Sequence, residues 1–208
     1  MSEATKQMSV RMKLEHDVQT QMQKRFEKFE IHERSRNGVY RSWFCNEPGH
    51  WDCSFTITTI PGYLFVTGDL GDLVVARVYD MLPWCRRSVH STGYFFEKIS
   101  LEIKKTEFSR ELVEEWIKER IDEIKSRTED DDDDIEAYAD ELRTLNEVLD
   151  DGFDDYGEEH FAEVLQPSYD GCDYPDWHIY SRQVLCLREA VRWFVMHHSE
   201  PEIIQDQK

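Results

Sequence analysis

Two hydrophobic periodicities divide this chain, and together they leave few folds open. In residues 53–60 (CSFTITTI), Phe55, Ile57 and Thr59 alternate with polar neighbours, the period-2 pattern of a strand with one buried face. Residues 39–45 (VYRSWFC), 63–67 (YLFVT) and 73–79 (LVVARVY) share that β-branched and aromatic character. Pro61-Gly62 and the run Gly68-Asp69-Leu70-Gly71-Asp72 punctuate them as tight turns. The spacing predicts an antiparallel meander of three or four strands with one face to cover.

On either side the period changes to that of a helix. Val10, Leu14, Val18, Met22 and Phe26 recur every four positions, which predicts an amphipathic helix running to about Phe29. Its stripe is suited to packing on the body or pairing with another copy. Arg36-Asn37-Gly38 reads as a turn, Pro83 closes the strand region, and residues 84–93, with Arg86, Arg87 and His90, read as an irregular connection. Ser109 is placed to cap a helix whose apolar face is Leu112, Val113, Trp116, Ile117, Ile121 and Ile124. Ile135, Tyr138, Leu142, Leu145 and Leu149 give the next helix, with Gly152 as its stop, and a shorter one is expected over 158–165. Residues 180–198 are apolar nearly all round, as suits a helix at the centre of the fold lying against the meander.

The fold class expected is therefore α+β: an N-terminal helix, a three- to four-stranded antiparallel meander, and an acidic helical C-terminal half packed on the sheet. At 208 residues one core is the default, so the chain reads as a single domain. Its parts are the helix in 1–35, the meander and connection in 36–100, the helical part in 101–198 and a frayed tail in 199–208. No strand is expected beyond residue 110.

Charge is distributed as unevenly as periodicity. Residues 1–100 hold 12 acidic and 13 basic residues, net +1, whereas residues 101–208 hold 32 and 12, net −20. Between 129 and 176 there are 20 acids and a single base, Arg143. Such a field repels nucleic acid and membrane surfaces and attracts basic proteins at a salt-sensitive rate. No apolar stretch approaches the roughly 20 residues of a membrane span. The charged N-terminus lacks the apolar core of a secretory signal, and five irregularly spaced cysteines fit a reducing compartment, so the expected location is cytoplasm with the thiols reduced.

Several residues invite a chemical reading. Cys45, His50 and Cys53 carry zinc-compatible side chains, but a fourth ligand would have to come from Cys85, His90 or further away, so no metal and no cofactor is assigned. Cys85 beside Arg86, Arg87 and His90 is the nearest approach to a thiol nucleophile, without a recognisable local signature. Residues 68–72 lack the Lys-Ser/Thr of a phosphate loop and the ligand spacing of a calcium loop. No catalytic residue is assigned. The aspartates at 130–134 read equally as a solvated run and as part of a binding surface. The acids continue beyond them on segments with helical periodicity. The partner-binding set expected is Asp140, Glu141, Glu147, Asp150, Asp151, Asp154, Asp155, Glu158 and Glu159, with Tyr156 and Trp177 as aromatic anchors.

Ile60-Pro61-Gly62-Tyr63-Leu64, Gly68-Asp69-Leu70-Gly71, Arg77, Asp80-Met81-Leu82 and Tyr94-Phe95-Phe96-Glu97-Lys98 together resemble a family of small uncharacterised bacteriophage and prophage proteins. The resemblance covers residues 39–99 and implies a context without a catalytic site, since no activity is established for that family. Accessory phage proteins without enzymatic motifs often inhibit host defence. The functional expectation is thus a non-enzymatic inhibitor whose acidic face occupies a basic, nucleic-acid-binding surface of a host protein, with no direct contact to nucleic acid or membrane. Two alternatives stand beside it. One is a small enzyme or nucleotide-handling protein built from Cys85, His90, Asp69 and Asp72; the other is an assembly protein that homo-oligomerises through the N-terminal helix.

Overall fold

The structure, a computed structural model, describes residues 9–128, 132–150, 157–169 and 176–198. The fold is α+β, with an N-terminal helix, an antiparallel sheet, and helical cover from the C-terminal part of the chain. The chain gathers into two compact units, 1–105 with 180–208 and 106–179, where its length had led to the expectation of one core. Each unit has its own buried apolar cluster. Among the described residues no helix is long and apolar enough to cross a membrane.

The first unit begins with α1 (Val10–Arg25), which Ser9 caps by accepting from the Met12 N–H. Val18, Met22 and Phe26 of the expected stripe are buried, and α1 packs against α7 (Arg182–His197). The helix ends four residues before the predicted limit. Residues 30–37 instead form a strand, β1 (Glu30–Asn37), paired antiparallel with β2 (Tyr40–Asn46). β1 was missed because its sequence, EIHERSRN, is charged and exposed over most of its length. That composition protects a sheet edge and erases the alternation that reveals a strand. The hairpin loop is Gly38-Val39, with Gly38 at φ 60°, a backbone region glycine enters without steric cost.

β3 (Phe55–Ile60), β4 (Tyr63–Gly68) and β5 (Leu73–Ala76) complete a five-stranded antiparallel sheet in the order β1-β2-β3-β4-β5. The meander of 39–79 is therefore as the alternation predicts, with one more strand at its edge. Trp43, Cys45, Phe55, Ile57, Leu64, Val66, Leu73 and Val75 point to the covered face, and all are buried. The supposed irregular connection is in fact helical: α2 (Met81–Ser88) and α3 (Thr92–Glu97). Asp80 caps α2 by accepting from the Leu82 N–H, and Pro83 falls in the first turn, where its missing N–H has no intrahelical partner to lose. Pro83 thus belongs to the opening turn of a helix, and the strand region ends before it.

α7 is the central helix predicted for 180–198, starting at the Ser181 cap. Phe194 lies 5.0 Å from Trp43 between ring centroids, and Trp193 meets Phe26 at 5.5 Å and Phe55 at 6.1 Å.

The second unit consists of α4 (Arg110–Thr128), α5 (Asp132–Asp150) and α6 (Glu158–Tyr169), with the strand pair β6 (Thr106–Phe108) and β7 (His178–Tyr180) where the chain crosses between units. β7 corrects the expectation of no strand beyond residue 110. Three residues are too few for alternation to show. Ser109 caps α4 as predicted, accepting from the Leu112 N–H at 3.2 Å. Gly152 and the tail 199–208 lie outside the described residues.

The Phe194–Trp43 contact generates a stability prediction. Phe194→Ala should cost about 3–5 kcal/mol, as cavity-forming Phe truncations do, while Met12→Ala at an exposed position should stay within about 0.5 kcal/mol. Denaturant unfolding of both variants decides it, and near-equal midpoints would show that α7 is not the cover on which the sheet depends.

Candidate functional site

The charge asymmetry of the sequence follows the boundary between units. Residues 106–179 hold 27 acids and 6 bases, net −21, whereas the remaining residues hold 17 and 19, net +2. The candidate site is the surface of this acidic unit.

Its helices are ordered by a core of Val113, Ile117, Ile121, Ile124, Leu145, Phe161, Leu165 and Trp177, so carboxylates on the outer faces ride on fixed backbones. Asp140 is 91% exposed and Glu147 67%, both flanking the similarly exposed Arg143 at 3.2 and 3.9 Å. Asp150 and Glu159 are also exposed, and Glu158 is half-buried, 3.4 Å from His178.

Two members of the predicted binding set do something else. Glu141 receives Arg120 in a two-pronged pair at 2.7 and 3.3 Å, which ties α4 to α5. The hydrogen bond that Arg120 donates to Glu141 is the largest influence raising the guanidinium above its ordinary value, ahead of the opposing effect of burial. Trp177, expected as an exposed anchor, is 2% exposed and lies edge-to-face with Trp116 at 5.9 Å. Its carbonyl accepts from the Ser109 N–H at 2.8 Å, which brings the segment before β7 against the cap of α4. It holds the core and leaves the surface to the carboxylates. Asp151, Asp154, Asp155 and Tyr156 lie outside the described residues.

Two residues of the alternative, enzymatic reading have structural roles of their own. Cys85 is buried in α2, and desolvation, with the nearby Asp80 charge adding to it, pushes its thiol up to about 12. That is the opposite of what a nucleophilic cysteine requires. Asp69 is occupied by the Ser54 N–H and hydroxyl, both at 3.1 Å, and shapes the turn that sequence reasoning assigned to it. Cys45 points into the sheet core, where burial pushes it too to about 12. Its spacing with His50 and Cys53 does not become a ligand set, and no group of three His, Cys, Asp or Glu suited to a metal occurs among the described residues.

An aromatic cleft in the first unit escaped sequence reasoning. It measures about 560 Å³ and is lined by Phe26, Phe29, Ile31 and Trp193 with Gln23, Glu27 and His197. Its walls come from α1 and the turn after it, β1 and α7, and because β1 was not legible in the sequence, nothing there could place Ile31 beside Trp193. No protein-family model matches the chain, and neither does any curated protein or solved structure.

Burial makes two outcomes predictable. Trp177→Ala should destabilise the acidic unit by about 3–5 kcal/mol, a cost that Asp150→Asn should not share. Thermal melts of the two variants separate a core residue from a surface anchor. Cys45 and Cys85 should resist iodoacetamide at about pH 8 until the chain unfolds. Because both thiols sit above their unfolded values, their contribution to stability is present below the ordinary thiol range. It is lost as pH rises through about 12. Rapid native labelling of Cys85, read by mass spectrometry, would restore it as a candidate nucleophile.

Proposed function

We propose that this protein is a non-enzymatic inhibitor of phage type that acts in the host cytoplasm against a defence component. Its acidic unit occupies a basic, nucleic-acid-binding surface of that partner. The single observation that carries the reading is the confinement of the acid excess to one compact helical unit. Charge serving only solubility has no reason to avoid the first unit, which is near neutral. Maintaining net −21 within 74 residues costs folded-state stability through self-repulsion, and an ordered core of its own offsets that cost.

Carboxylates fixed on helices present charge in a lasting array, as a duplex does with one charge per roughly 1.7 Å of axis. A partner that binds phosphate backbones meets the same sign of charge. Encounter is driven by charge, so it accelerates at low ionic strength. The assembly reading loses its main support, because Val18, Met22 and Phe26 of the α1 stripe are already buried within the unit.

The test is capture from host lysate at low and high salt, followed by competition with the nucleic acid of any captured protein. Changing Asp140, Glu147, Asp150 and Glu159 to their amides should slow association with that protein by about tenfold or more at low salt, without loss of thermal stability. The wild type should displace nucleic acid from the partner in proportion to its occupancy. If the captured protein still bound its nucleic acid when saturated, or if the amide variant associated at the wild-type rate, the acidic surface would be solubilising only.

A further inference from the structure

The described thiols fall into two classes. Cys45 and Cys85 are sealed in the core, whereas Cys53 and Cys186 are half-buried, and all four are free. Both half-buried thiols belong to the first unit and pack against the same apolar cluster.

Two independent sets of contacts bring them to one place. From the first side, Arg25 at the end of α1 donates to the Asp52 carbonyl at 2.7 Å, and the adjacent Cys53 is the first of the influences that raise the guanidinium above its ordinary value. One helical turn earlier on the same face, Gln21 accepts from Arg182, which stands one turn before Cys186 on α7. From the second side, the loop bearing Cys53 is held by Asp69 in the turn between β4 and β5, through the Ser54 N–H and hydroxyl. Gly71 of that same turn abuts Gln183, three residues before Cys186, so closely that a Cβ there would lie 2.4 Å from its amide nitrogen. α1 and the β4–β5 turn therefore each touch the neighbourhood of both cysteines. Cys53 also acts on Cys186: burial is the main cause that raises the Cys186 thiol, Arg182 opposes it, and Cys53 adds to the rise.

Cys53 is the described non-glycine residue with positive φ, at 63°, in the loop between β2 and β3. Its two neighbours are held, Asp52 by Arg25 and Ser54 by Asp69, and it belongs to no strand. We propose that Cys53 and Cys186 form an oxidisable dithiol, which a peroxide converts to a disulfide joining the β2–β3 loop to the first turns of α7.

The chemistry balances with hydrogen peroxide as oxidant. The Cys53 sulfur, with the Arg25 cation beside it, attacks one peroxide oxygen; the O–O bond breaks, the second oxygen leaves as water after taking the thiol proton, and Cys53 becomes a sulfenic acid. The Cys186 sulfur then attacks the Cys53 sulfur, the S–O bond breaks, and hydroxide leaves as water with the Cys186 proton. Two thiols supply two electrons, and one peroxide yields two waters. Closing a long loop of chain between α7 and the sheet raises the stability of the first unit.

The experiment treats the full-length protein with stoichiometric hydrogen peroxide, quenches with iodoacetamide, and reads intact mass and peptide linkage. The expected result is loss of two hydrogen masses, a link between the peptides bearing Cys53 and Cys186, a higher melting temperature, and reversal of all three by dithiothreitol. Cys172→Ser should behave as the wild type. Cys53→Ser and Cys186→Ser, each verified as folded by circular dichroism, should form no link. A link that survives in either of those variants, or added oxygen without any link, would overturn the proposal. So would a wild type that stays fully alkylated after peroxide.

Discussion

Phe194 and Trp43 meet across the interface between α7 and the inner face of the sheet, and the first unit is organised around that contact. A five-stranded sheet with Trp43, Ile57, Leu64, Val66 and Val75 on one side cannot remain open on that side in water. Each such side chain gains about 1.5–3 kcal/mol from burial. α7 covers it because its apolar residues run nearly all round, which leaves a second face free to receive α1 and α2. Trp193 then joins Phe26, Phe29 and Phe55 in an aromatic group in which most rings meet at steep angles, the arrangement that quadrupoles favour. A polar network lies within this apolar setting. Arg188, 4% exposed, donates to Glu189, Glu15 and Thr92 and so joins α7 to α1 and α3. Buried ion pairs add little net stability compared with apolar replacements, yet removal of one partner is costly. The network therefore fixes which faces of the three helices meet more than it strengthens their packing.

The acidic unit solves the opposite problem. With so few bases, most of its carboxylates cannot be paired, and its helices are held chiefly by apolar contacts and by the few cations placed where they count. Arg120 is the clearest case: it binds Glu141 across two helices and Glu123 within its own. Arg143, by contrast, lies exposed between Asp140 and Glu147, where an ion pair contributes roughly 0–1 kcal/mol. The partition of cations between linking helices and merely sitting on the surface shows which part of the acid excess is structural.

Legibility in the sequence followed burial. β2 to β5, α1, α4, α5 and α7 carry apolar periodicity because each hides one face or more, and their existence could be read from spacing. β1, α2, α3 and β7 could not be read in the same way. β1 is a charged edge with Ile31 as its one aliphatic residue, and α3 and β7 are shorter than a readable period. α2 was obscured by Pro83, although Asp80 before it was an available cap signal. The candidate site was legible as charge and illegible as geometry. Sequence cannot distinguish Glu141 from Glu147, six residues apart on one helix, because the difference lies in the position of Arg120 on another. Trp177 was misread for a related reason. A tryptophan among acids looks like an anchor on a surface, and only the packing of Trp116 and Phe161 in the same core reveals that it faces inward.

The division of labour between units also explains how so acidic a segment is tolerated inside the chain. Within the first unit, the Ser181 N–H donates to the Lys105 carbonyl at 2.8 Å and its hydroxyl to the Lys104 carbonyl at 2.8 Å, so the points where the chain leaves and returns are adjacent. Within the second unit, the Ser109 N–H donates to the Trp177 carbonyl, so its two ends are adjacent as well. A segment with joined ends, inserted where a scaffold's own chain ends are joined, imposes no strain on the scaffold and little loop-closure cost. The sheet and α7 can then keep a near-neutral surface and a conventional core, while residues 106–179 carry an excess of charge that would destabilise any core shared between the two. Separate cores are what permit the extreme composition, and the pairing of chain ends is what permits separate cores.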